Sequence, residues 1–189
     1  MSIFEYISVF VAIILGMGVA QIVTGIAHFV HGSNKVKLYW PHLLFIYNTF
    51  FLHIQEWWVY YEYKAITAWR MPVFIFVMLY PIVLFVQARV LFPFDNFEEK
   101  TDIKKFWFDN YRTYFSLIAI ATVLSFVDNV FLRGLQVQDQ ILQMVLCAVM
   151  LTMVIFKIKN EWVHKSLAIL FFVGTIVTMI ASWDEWLIK

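Results

Sequence analysis

Charged residues fall in clusters along this chain and leave long apolar runs between them. No Asp, Glu, Lys or Arg occurs from Ile7 to Val30, Leu38 to Gln55, Met71 to Ala88, Ile141 to Phe156 or Leu167 to Trp183. Crossing a hydrocarbon core of about 30 Å takes roughly 20 mostly apolar residues in helical form, and flanking aromatics extend the shorter runs here. A sixth run, Thr113 to Leu132, is interrupted only by Asp128. The pattern predicts an all-α integral membrane bundle of six transmembrane helices. They form one domain over residues 1–189, with spans at about 7–30, 38–62, 71–91, 112–132, 139–157 and 163–186.

Composition removes the soluble alternative. Of the 189 residues 62% are hydrophobic and 14% charged, against about a quarter charged in an ordinary soluble domain. Glu5 stands where a signal peptide carries basic residues and no small-residue cleavage site follows, so the first run reads as a retained span. Cys147 is the only cysteine, which excludes an intrachain disulfide and a Cys-based zinc cluster. A net charge of +1, with no basic cluster beyond Lys104 and Lys105, leaves no electrostatic footprint for nucleic acid. Glycine-rich phosphate loops and the common hydrolase and metalloprotease motifs are absent.

Basic residues in short loops are retained on the cytoplasmic side of a membrane. Ten of them (Lys35, Lys37, Arg89, Lys100, Lys104, Lys105, Arg112, Lys157, Lys159 and Lys165) belong to loops one, three and five, against four (Lys64, Arg70, Arg133 and Lys189) on the other side. This asymmetry puts both termini outside, in a bacterial-type inner membrane. Loop three, from Pro93 to Arg112, repeats Ile103, Phe106, Trp107 and Tyr111 at helical spacing. It is expected to form a short cytoplasmic interfacial helix between spans three and four.

Several faces stand out within the spans. Ala12, Gly16, Ala20 and Thr24 recur every four residues in span one, with Gly18 and Gly25 nearby; small residues at this spacing are expected to pack against a neighbouring helix. Beside them Gln21, Thr24 and His28 form a short polar stripe. Span two carries the strongest signal, since His42, Thr49, His53, Glu56 and Tyr60 follow steps of seven, four, three and four and share one helical face. Such a stripe is unfavourable against lipid. It belongs at the bundle interior, where polar residues mark ion, proton or substrate paths or join helices by hydrogen bonds. Pro81 interrupts span three, with Gln87 and Arg89 beyond it.

Near the outer ends of spans two, four and six an acid sits beside an aromatic or amide: Glu56, Asp128 and Asp184. These endings hint at three related hairpins. Convergence of the three acids, with Trp57, Trp58, Trp183 and Trp186 in the same layer, predicts an acidic, indole-lined outer vestibule able to attract cations. The plainer account makes the indoles an interfacial belt and pairs Asp128 with Arg133. No cofactor is required by the sequence. Should haem or a transition metal bind, His28 and His42 are the imidazoles at similar depth, with His53 and Glu56 as further ligand types.

Three functions follow from these residues. The first is a protein that binds or passes a cation, proton or small polar solute through the polar interface of spans one and two. The second is a membrane redox protein or enzyme using His and carboxylate ligands, although no catalytic constellation is identified. The third is a non-catalytic assembly or scaffold subunit. Expected partners are the lipid bilayer, a small cation or solute, and a second copy of the chain.

Overall fold

A computed structural model describes residues 2–32, 35–66, 68–93 and 101–181. The protein is all-α. Six α-helices follow one another as α1 (Ile3–His31), α2 (Trp40–Val59), α3 (Met71–Val90), α4 (Ile103–Phe131), α5 (Ile141–Ile155) and α6 (Glu161–Ala181). Turns of 3-10 helix at Tyr60–Ala65 and Val137–Gln140 extend α2 and precede α5. Two-residue strands β1 (Val36–Lys37) and β2 (Thr101–Asp102) pair in parallel. Five segments are long and apolar enough to cross a membrane, namely α1, α3, α4, α6 and the stretch Val137–Ile155 that contains α5. The exception is α2, which matches α3 in length at 20 residues but is diluted by His42, Asn48, Thr49, His53, Gln55 and Glu56.

Local chemistry fixes the helix starts. Ser2 and Glu5 form a reciprocal capping box, with Ser2 Oγ accepting from the Glu5 N–H at 3.1 Å and Glu5 Oε2 accepting from the Ser2 N–H at 2.8 Å. Pro41 and Pro72 stand in the first turns of α2 and α3, where the missing N–H costs nothing. Asp102 caps α4 by accepting from the N–H groups of Lys104 at 2.9 Å and Lys105 at 3.2 Å.

Around α2 the other helices are arranged so that α1, α3 and α6 pack against it, α3 also joins α1 to α4, and α5 packs on α4. Two apolar clusters divide the interior. One gathers Ile22, Phe29, Phe45, Trp107, Tyr111 and Phe115 with their neighbours; the other gathers Ile7, Val11, Leu15, Tyr60, Val77 and Leu84 with theirs. Gly18, Thr49, His53 and Gln87 lie at the sequence positions between them, so the apolar core is split by a polar layer.

Loops one, three and five meet at one end of the bundle. There β1 pairs β2, the Thr101 N–H donates to the Lys35 carbonyl at 2.8 Å, Lys37 pairs with Asp102 at 3.4 Å, and Lys104 pairs with Glu161 at 2.6 Å. At the other end Phe4 stacks on Tyr60 and Arg133 reaches Glu62.

Two expectations are corrected. Residues 103–112 do not form a separate surface helix: they are the first turns of a continuous α4, with Ile103, Trp107 and Tyr111 buried in the core. Helical recurrence marks one face of α4, and that face turns inward. In α1, Ala12, Gly16, Ala20 and Thr24 are all exposed, and a Cβ at Gly16 would meet nothing within 4 Å. The glycines that permit close approach are Gly18, where a Cβ would run into the His53 imidazole, and Gly25, where it would run into the Phe92 ring. Gly18 lies roughly 200° around the helix from Gly16 at about 100° per residue, so the two sets occupy opposite sides.

Gly18→Ala and Gly25→Ala are therefore expected to lower the stability of the purified protein by about 1–3 kcal/mol through overpacking, whereas Gly16→Leu leaves it unchanged; melting in detergent measures both. A second expectation concerns Asp102. Burial acts to raise its pKa, but the Lys105 and Lys104 N–H groups and the Lys37 ammonium outweigh it and hold the carboxyl below its ordinary value. A depressed folded pKa contributes stability above the unfolded value of about 3.9, which is lost as pH falls through the folded one. Asp102→Ala should cost about 1 kcal/mol at neutral pH, and the difference from the parent should shrink below about pH 4.

Candidate functional site

The polar stripe of α2 is buried through most of its length. His42 and Thr49 are fully enclosed, His53 and Tyr60 nearly so, and Glu56 is half-buried. From His42 to Tyr60 the stripe extends about 27 Å at a rise of about 1.5 Å per residue, close to the thickness of a bilayer core.

Its centre is a hydrogen-bonded node shared by three helices. Thr49 Oγ donates to the Phe45 carbonyl at 2.9 Å and accepts from Gln87 Nε2 of α3 at 3.1 Å. The Tyr114 hydroxyl of α4 lies 3.0 Å from Thr49 Oγ and 3.3 Å from the Phe45 carbonyl. Gln87 Oε1 is buried with no hydrogen-bond partner. One turn further along, His53 Nδ1 lies 2.7 Å from the Thr49 carbonyl. A carbonyl only accepts, so the neutral ring carries its proton on Nδ1 and presents a lone pair on Nε2. That Nε2 is unpartnered and faces the space left by Gly18.

Towards loop one, His42 has neither ring nitrogen hydrogen-bonded. It is enclosed by Phe29, Phe106 and Trp107, whose ring centroids lie 6.3, 6.0 and 5.5 Å away. The structure does not bring His28 to it: His28 is exposed on α1, and Phe29 occupies the adjoining position against His42. Gln21 is half-buried and Thr24 exposed, so the short stripe of α1 does not continue the α2 face inward.

At the opposite end, Glu56 and Asp128 do converge. Glu56 lies in the electrostatic field of Asp128 and Arg133. Tyr63 lies beside Asp128, while Asp128 Oδ1 and the Tyr60 hydroxyl are buried without partners. The expected Asp128–Arg133 pair is replaced by another. Arg133 donates to Glu62 Oε2 from Nε at 2.9 Å and Nη2 at 2.5 Å, and to Asn129 Oδ1 from Nη1 at 2.7 Å. Asn129 in turn donates to Gln140 at 2.8 Å, which ties the end of α4 to the segment before α5. Trp57 is exposed and Trp58 half-buried; Asp184, Trp183 and Trp186 lie outside the described residues.

Sequence reasoning passed over Tyr114, Asn48, Tyr63 and His164. His164 of α6 is fully buried, accepts from Trp107 Nε1 at 3.2 Å on Nδ1, and donates from Nε2 to the Ile158 carbonyl at 2.9 Å. Both nitrogens are satisfied within a cage that includes Phe108 and Tyr111 at 4.9 and 4.8 Å, which makes it an anchor for α6. Its signal was its spacing before Leu167 and Ala168, which share its inward face. Among the described residues no group of three or more His, Cys, Asp or Glu is placed to hold a metal ion. No family model, curated protein or solved structure matches the chain.

The central node makes a direct prediction. Thr49→Val keeps shape but leaves the Gln87 amide and the Tyr114 hydroxyl short of a partner, at a cost of about 1–3 kcal/mol. Adding Gln87→Leu removes the orphaned amide, so the double variant should be less destabilised than the sum of the singles. Thermal unfolding of the four proteins measures the coupling.

Proposed function

We propose that this is a six-span inner-membrane protein in which α2 is the polar spine, and that it binds or passes a proton, small cation or small polar solute along that spine. The observation that supports this reading is that buried, unpartnered polar atoms recur on the α2 stripe and among the residues around it: the His42 nitrogens, Gln87 Oε1, His53 Nε2, the Tyr60 hydroxyl and Asp128 Oδ1. Leaving such an atom without a hydrogen bond costs about 1–3 kcal/mol, and a run of them across a membrane interior fits groups that take their partner from water or a transported species. Packing alone would favour apolar residues at these positions. In this reading α2 is the sixth span, shielded from lipid by α1, α3 and α6, and loops one, three and five face the cytoplasm.

Reconstitution into liposomes tests the proposal. The parent protein should dissipate an imposed proton, sodium or potassium gradient, and Glu56→Gln or His53→Ala should slow it by about tenfold or more, the factor set by about 1.4 kcal/mol, with folded yield unchanged. No flux of any of these ions would sink it. For the orientation, cysteines at Lys35 and Asn160 should react with an impermeant reagent only from the cytoplasmic side, and one at Gln138 only from outside.

A second reading rests on the outward strip Ala12, Gly16, Ala20 and Thr24, whose small side chains fit a membrane assembly partner. Here Gly16→Leu would abolish association while leaving the chain folded, and the α2 substitutions would be silent.

A further inference from the structure

We infer that Glu56, Asp128 and the Tyr60 hydroxyl form a binding site for one monovalent cation, a proton or an alkali ion, at the loop-two end of the α2 spine. The inference rests on α2 being the polar spine proposed above and names what its acidic end holds.

The argument begins with charge. Groups that share Glu56's field come from several neighbouring elements: Tyr60 and Tyr63 from the 3-10 segment, Tyr80 from α3, and Asp128 and Arg133 from α4, with Glu62 acting on Asp128. At the near end of α1, Glu5 is engaged in capping through Ser2. Arg133 is the one cation in this set, and three of its nitrogens are already directed at Glu62 and Asn129. Its hydrogen bonds are thus spent on Glu62 and Asn129, so it reaches Glu56 and Asp128 only through its field and closes no ion pair with either.

Geometry supplies the second, independent observation. The Tyr60 side chain is 3% exposed, its hydroxyl has no partner, and it lies in the field of Glu56 one helical turn away. Asp128 lies beside Tyr63 and keeps Oδ1 buried without a hydrogen-bond partner. The donors that remain are therefore all oxygens, two from acids and one from a phenol. Hard oxygen donors favour protons and hard cations over transition metals. Three protein oxygens are enough to hold a shared proton, and an alkali ion there would complete its shell with water.

Thermal unfolding of the purified full chain, at fixed ionic strength in sodium, potassium or choline chloride from pH 6 to pH 9, tests this. A bound ion stabilises the folded state by mass action, so sodium or potassium should raise the melting temperature by several degrees over choline at high pH and less at low pH, where protons compete. A proton-only site would instead show a pH dependence with no difference among the salts. In either case Glu56→Gln and Asp128→Asn, which keep shape and remove the charge, should each abolish the response. Glu62→Gln, which releases Arg133 to neutralise the acids, should weaken it. A parent protein indifferent to both salt and pH, or a response that survives in both acid variants, overturns the site. An ion response without flux in liposomes sinks the conduit and keeps the site; flux without an ion response does the reverse.

Discussion

The polar face of α2 has to find partners inside an otherwise apolar bundle, and the packing of the helices follows from that requirement. A helix carrying His42, Thr49, His53 and Glu56 on one side is stable in a membrane only where other helices cover that side. Coverage comes at close range. Gly18 of α1 makes room for the His53 ring, Gln87 of α3 and Tyr114 of α4 satisfy Thr49, and Trp107 closes over His42 while holding His164 of α6. One helix with a polar stripe thereby determines which faces of its neighbours turn inward. It also explains why Gly18 is buried and Gly16, on the opposite side of α1, is not.

The two ends of the bundle are built on different chemistry. At the loop-one end, opposite charges are matched: Lys37 with Asp102, and Lys104 and Lys165 with Glu161. Exposed pairs of this kind contribute little individually, but together with the β1 and β2 pairing they tie three loops into one platform. At the loop-two end the match is incomplete, because Glu62 takes up Arg133 and leaves Glu56 and Asp128 beside unpartnered or singly partnered hydroxyls. Balanced charge suits an end that only needs to hold together. The loop-two end has instead one ion pair among the described residues, Arg133 with Glu62.

Helical character and membrane-scale apolar length were legible in the sequence because each sums over some twenty residues and survives local exceptions. The face shared by His42, Thr49, His53 and Glu56 was legible for the same reason that any helical period is. What one chain could not reveal was direction. In a soluble helix the apolar side points inward; in a membrane helix lipid is as apolar as the core, so hydrophobicity does not say which side of α1 meets α2. Both sides of α1 carry small residues, and only a partner, the His53 imidazole, distinguishes them. The amphipathic spacing of Ile103, Trp107 and Tyr111 was ambiguous in the same way, since a face suited to headgroups is equally suited to a core.

His164 and His53 show how far residue type falls short of role. Each is a buried histidine on an inward helix face, and each donates a ring N–H to a backbone carbonyl. The difference lies in the second nitrogen. In His164 it accepts from the Trp107 indole, so a proton added there would break a hydrogen bond and strand a charge in an aromatic cage. In His53 it is a lone pair with no partner, one turn from Glu56. A donor brought to that nitrogen would displace no existing hydrogen bond. The same side chain is therefore fully satisfied in α6 and half satisfied in α2. That distinction rests on one hydrogen bond contributed by a residue 57 positions away in sequence, beyond the reach of any local pattern.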